Sequence, residues 1–159
     1  METSRLLDQL RRAFDGDAWS GPSLSDVLAG LSAQQAAAHP WPGTHSIFEI
    51  VLHLITWTRT VSRRAQAQAH ARIVGDDWPG APENPGEAAW QHALAELRQA
   101  HEQLLAAAAE VPADALDTPL GDARDRPDGA GVSLYVQLHG VAQHYLYHAG
   151  QIALLRKYV

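Results

Sequence analysis

Apolar residues recur along this chain at the three-and-four spacing of helices, and no stretch keeps the two-residue alternation of a strand. Leu6, Leu7, Leu10, Ala13 and Phe14 mark a first helix from about residue 2 to 15, closed by Gly16. A connection runs from there to about residue 44, where Pro40 and Pro42 end it, and Ser23 can cap a short helix inside it carrying Leu24, Val27, Leu28 and Leu31. Ser46 and Glu49 have capping-box spacing, so a second long helix starts there and runs to about residue 70. Its stripe is Ile47, Ile50, Val51, Leu54, Trp57, Thr58 and Val61, with Arg59, Arg63 and Arg64 mostly off it and His53 beside it.

Residues 71–86 hold too many glycines and prolines for a helix or central strand, but Trp78 is a large apolar group to leave in water, so the loop is expected to be ordered. Asn84 as N-cap, Pro85 at the first helical position and Glu87 then open a third helix, whose face is Trp90, Leu94, Leu97, His101, Leu104, Ala108 and Val111. From Pro112 to Val132 the chain is rich in Asp, Gly and Pro and reads as a solvated connection. A fourth helix begins near Ser133 with the seam Leu134, Leu138, Val141, Tyr145, His148, Ile152 and Leu155, and Arg156 and Lys157 suit the negative end of its dipole. The pattern predicts an all-α four-helix bundle with long connections and a short extra helix between the first and second long ones. It leaves the crossing order open.

At 159 residues and 46% hydrophobic, the chain is expected to be a single domain spanning 1–159. A net charge of -6 disfavours nucleic acid and anionic membrane as partners. With no long apolar run and no apolar leader at the start, a cytoplasmic location is the expectation. The absence of cysteine excludes disulfides and a protein thiol nucleophile, so any thiol chemistry needs an external low-molecular-weight thiol.

The candidate chemistry lies in the histidines. His144 and His148 sit four apart, about 40° from one another around the fourth helix and one turn apart along it. Nine histidines would place about 0.4 such pairs by chance, so spacing alone is weak. Position strengthens it, because a ring on or beside a buried seam costs free energy unless it finds a partner. His53, beside the second stripe, can bring a third nitrogen from another helix; for it a carbonyl-bonded core-edge histidine is an equal alternative. His139 lies about 140° from His144 and belongs to another face. His39, His70 and His92 read as surface or loop residues, His45 as a residue of a pocket mouth, and His101 as core or as support for the site. Gln151, one turn past His148, is a candidate orienting or substrate-contacting amide. Trp57 and Trp90 read as core aromatics.

Thr44–Leu54, the Gly-Asp-Asp-Trp-Pro of 75–79, the Glu-Ala-Ala-Trp of 87–90 and the block from Leu138 to Lys157 resemble, in order and over most of the chain, the DinB-like metalloenzymes. That family shares a superfamily with bacillithiol transferases and mycothiol-dependent maleylpyruvate isomerases. The resemblance implies a four-helix bundle, often homodimeric, that binds divalent nickel or zinc through His53, His144 and His148. In the mycothiol-dependent isomerases a glutamate stands where this chain has His144, and a further C-terminal domain follows, whereas this chain ends at Val159; that activity is therefore disfavoured.

Three neutral imidazoles suit zinc, nickel, iron or copper and leave positions open for water or a small thiol. Two functional readings follow: a metalloenzyme activating water or a thiol for hydrolysis or transfer, and a non-catalytic metal-braced helical dimer with a scaffold or stress-related role. A purely structural dimer with satisfied core histidines is a third. Ordinary imidazoles would lose the metal to protons below about pH 6.

Overall fold

The computed structural model describes residues 2–121 and 131–159. Four long helices form a bundle: α1 (Glu2–Phe14), α4 (Ile47–Ala67), α5 (Glu87–Ala109) and α6 (Leu134–Leu155). Two short helices, α2 (Leu24–Leu28) and α3 (Ala33–Ala37), lie between α1 and α4, so the single extra helix expected there is in fact two. Each is opened by its own capping box, Ser23 with Asp26 and Ser32 with Gln35, which satisfies backbone N–H groups that so short a helix cannot.

α1 packs beside α6 and α5, and α4 packs beside the same two helices. The bundle therefore has α1 diagonal to α4 and α5 diagonal to α6. This explains the long connections: the chain must cross the bundle between α1 and α4, and again between α5 and α6. On the first crossing α2 lies against α6, while α3 lies against α4 and α5. Leu10, Leu24, Val51, Leu54, Trp90, Leu104, Leu138 and Ile152 are among the fully covered core side chains. Burial of each such side chain contributes roughly 1.5–3 kcal/mol.

Several boundaries differ from expectation. α4 stops at Ala67 rather than near 70, because Gln68 turns left-handed at φ 47°. α5 is capped by Gly86, in extended conformation, and not by Asn84, whose φ of 48° is incompatible with an N-cap. Glu87 in the first turn of α5 serves a tertiary role instead, accepting from the Ala33 amide of α3 at 3.0 Å. Part of the connection expected at 112–132 lies outside the described residues, at 122–130. Its described part is not simply solvated: Leu116 and Leu120 are buried, and β1 (Pro119–Leu120) pairs antiparallel with β2 (Val132–Ser133). Two residues per strand are too few for alternation to register.

Arg64 also departs from its expected place off the stripe. It is only 1% exposed, and it donates to the Ala71 carbonyl at 2.8 Å and to Gln137 Oε1 of α6 at 2.9 Å. Gln137 in turn donates to the Val132 carbonyl at 3.2 Å. This chain of bonds ties the end of α4 to the start of α6. No described helix is long and apolar enough to cross a membrane.

Candidate metal centre

The Ser46–Glu49 capping box fixes the start of α4, with Glu49 accepting from the Ser46 amide at 2.7 Å, and His53 projects from α4 two turns later. α6 starts at the Ser133 cap and brings His144 and His148 to the same level from the neighbouring helix. The three imidazoles meet. His144 Nε2 lies 3.0 Å from His53 Nε2 and 2.9 Å from His148 Nε2. Among the described residues these three form the group of metal-type donors whose ligating atoms all lie within 4.8 Å of one another.

The outer nitrogens decide which way the lone pairs point. His53 Nδ1 lies 2.7 Å from the Asp77 carbonyl oxygen and 3.2 Å from Asp77 Oδ1. Both are acceptors, so Nδ1 carries the proton and Nε2 is bare. His148 Nδ1 lies 2.7 Å from Gln151 Oε1, which imposes the same tautomer. Two bare nitrogens thus face His144 Nε2, which can offer at most one hydrogen between them. A cation shared by three inward lone pairs resolves that frustration, and three neutral nitrogens are a donor set that fits a divalent metal.

Burial keeps the rings neutral. It pushes the His144 imidazole down to about 3, with His148 and His53 adding to the effect. Burial lowers His148 to about 4 against the opposing hydrogen bond to Gln151. His53 is lowered as well, burial outweighing the carbonyl and carboxylate of Asp77. Lone pairs are therefore available throughout the neutral range.

The 75–79 loop is the part of the site whose function the sequence did not disclose. Asp77 orients His53, and its carboxylate is held by the Trp57 indole N–H at 2.6 Å. Trp57 is thus half-buried and engaged with the loop rather than a core aromatic, whereas Trp90 is fully buried and donates to the Leu31 carbonyl. Trp78 stacks on His53 at 3.8 Å between centroids, and His45 stacks on its other face at 3.8 Å. His45 does line the cavity beside the three rings, as its position at a pocket mouth suggested. The one available signal for the loop was a tryptophan amid polar residues.

The remaining histidines lie elsewhere. His101 is buried against Phe14, stacked at 4.0 Å, and its Nδ1 is 3.4 Å from Tyr145 Oη, so it belongs to the core. His139 packs edge-on against Tyr135 on another face of α6. His39 is exposed beside Glu49, His92 is exposed beside Glu96, and His70 lies in the loop after α4.

The model of the DinB superfamily matches residues 8–152. The chain belongs to the DinB superfamily. No curated protein and no solved structure matches it. The match runs from within α1 to Ile152 in the last turn of α6 and so contains all three converging histidines. DinB membership and this cluster together fit a metal-binding protein.

Proposed function

We propose that this DinB-superfamily chain binds one divalent cation through Nε2 of His53, His144 and His148, and that the remaining coordination positions serve to activate water or a small external thiol. The observation that carries the reading is the pair of acceptor oxygens, from Asp77 and Gln151, that turn two bare nitrogens toward the third ring. Zinc and nickel suit three imidazoles, and the ion when bound supplies Lewis acidity that lowers the pKa of a coordinated water or thiol. The protein's own contribution is orientation and exclusion of water. Asp77 and Gln151 fix two tautomers, Trp78 covers one face of His53, and a cavity of about 650 Å³ gives a small molecule access to the rings.

The ligands come from α4 and α6, so a bound ion also braces the two helices. A role limited to bracing predicts metal-dependent melting without turnover of any thiol or ester. Elemental analysis and calorimetric titration with zinc and nickel test the site itself. One metal per chain is expected for the native protein, and loss of stoichiometric binding for His53→Ala, His144→Ala and His148→Ala. Retention of one tightly held ion by the triple variant would sink the proposal.

A further inference from the structure

His45 is the histidine of the cavity that the metal reading leaves unused. It stands just before the Ser46 cap of α4, and the turn leading to it is closed by Thr44, whose hydroxyl donates to the Trp41 carbonyl at 2.8 Å. Its ring lies flat against Trp78, 3.8 Å between centroids and 4° from parallel, yet 47% of its side chain is exposed. Trp78 in turn stacks on His53 at 3.8 Å, so two ring-to-ring steps separate His45 from the converging imidazoles. His45, His53, His144 and His148 line one cavity. The separation is short enough for a charge on His45 to disfavour one on His53 or His148.

The acidic neighbour of His45 is fixed by the helix start. Its Nδ1 lies 3.7 Å from Glu49 Oε2, and that same oxygen is 3.0 Å from His39 Nε2 and accepts from the Ser46 amide at 2.7 Å. A carboxylate so placed favours a hydrogen on the nitrogen facing it and stabilises the ring once it is charged. Nε2 is then the basic nitrogen of the neutral ring. A proton taken up there can leave to water, because the side chain is half in solvent. His53 and His148 are differently placed, with their outer nitrogens engaged by Asp77 and Gln151.

We infer that His45 is the proton acceptor of this cavity, taking the proton of a water or small thiol that enters beside the three histidines and passing it to solvent. For a thiol, the S–H bond breaks with its electron pair left on sulfur. An N–H bond forms at His45 Nε2, directly or through a water in the cavity, and a buffer base then removes that proton. The inference rests on the proposed metal reading, which supplies the reason for a thiol to give up its proton here.

The chain has no cysteine, so every thiol signal comes from an added probe. Full-length protein loaded with cobalt(II), a coloured ion that takes the same kind of nitrogen ligands, is mixed with 2-mercaptoethanol in weak buffer. An indicator dye follows proton release while cobalt absorption reports thiol uptake. His45→Phe keeps a ring to stack on Trp78 but cannot carry a proton. It is expected to release the proton at least about tenfold more slowly than the native protein, to the same final extent. Added imidazole should restore the rate, a rescue that a merely structural loss would not show. A native rate for His45→Phe in weak buffer overturns the inference, and so does slowing that imidazole fails to relieve. Without any metal, nitrogen-15 shifts of chelator-treated protein should place the hydrogen of the neutral ring on Nδ1; a hydrogen on Nε2 would leave no base for the cavity and overturns it as well. If the native protein takes up no cobalt, the metal reading and this role fall together. If cobalt and thiol are taken up and only the variant's proton release is unchanged, this role falls alone.

Discussion

His144 differs from the two rings it faces: no described residue holds its Nδ1, whereas Asp77 and Gln151 hold those of His53 and His148. On the proposed reading, the affinity of the site depends on residues that never touch the ion. Gln151→Ala frees the His148 tautomer and is expected to weaken metal binding about tenfold while leaving the stoichiometry at one, measured by competition with a chromophoric chelator. An unchanged affinity would mean that Gln151 is only a wall of the cavity. The acid limit follows from burial. Because the folded-state pKa values of His144 and His148 are lowered to about 3 and about 4, protons compete with the ion later than for ordinary imidazoles. Affinity should hold from pH 8 to about 5 and fall steeply near pH 4, below the limit of about pH 6 that unburied imidazoles would set. A tenfold fall already between pH 7 and 5.5 would contradict so dry a site. At this scale the three histidines that converge were legible as candidates, since histidine is a poor core filler; the partners of their outer nitrogens were not, since Asp77 reaches His53 from 24 residues away.

At the scale of the element, the register of α4 sets where His53 points. Ser46 is fully buried and its side chain accepts from the Glu49 amide at 3.2 Å, while Glu49 accepts from the Ser46 amide. Ser46→Ala is expected to cost about 1 kcal/mol, read from the midpoint of denaturant unfolding. A loss below about 0.3 kcal/mol would show that packing alone fixes this end. Caps at Ser23 and Ser46 were readable because a side-chain cap is a purely local device. The Ser32–Gln35 box has the same local spacing, although the pattern predicted only one short helix in this connection. Asn84 misled for a physical reason: asparagine suits both an N-cap and a left-handed turn, and only the path of the chain chooses between them. Arg64 was misplaced because helical position says how far a side chain lies from a stripe, not whether a neighbouring element covers it; here α6 and the 71 carbonyl do.

For the whole molecule, His101 is the buried group outside the site that matters on the acid side. Burial lowers its folded-state pKa to about 4 from an ordinary 6.5, so the unfolded chain binds the proton more readily. Stability is therefore unaffected above about pH 6.5, declines as pH falls through that value, and levels off below about 4, with a total loss of roughly 3 kcal/mol from this group. Thermal melts of native protein and His101→Leu across pH 7 to 4, both treated with chelator, should show a shallower decline in the variant; parallel curves would refute the assignment. The sequence by itself determined that the chain is helical, where most helices begin, and which three side chains have the chemistry to hold a metal, because periodicity, caps and side-chain basicity are properties of neighbouring residues. Only the tertiary structure decided that α1 lies diagonal to α4 and α5 to α6, that a distant loop orients His53, and that a cavity opens beside the three rings. Those features arise from contacts between residues remote along the chain, whose geometry is set by packing and carries no local pattern to read.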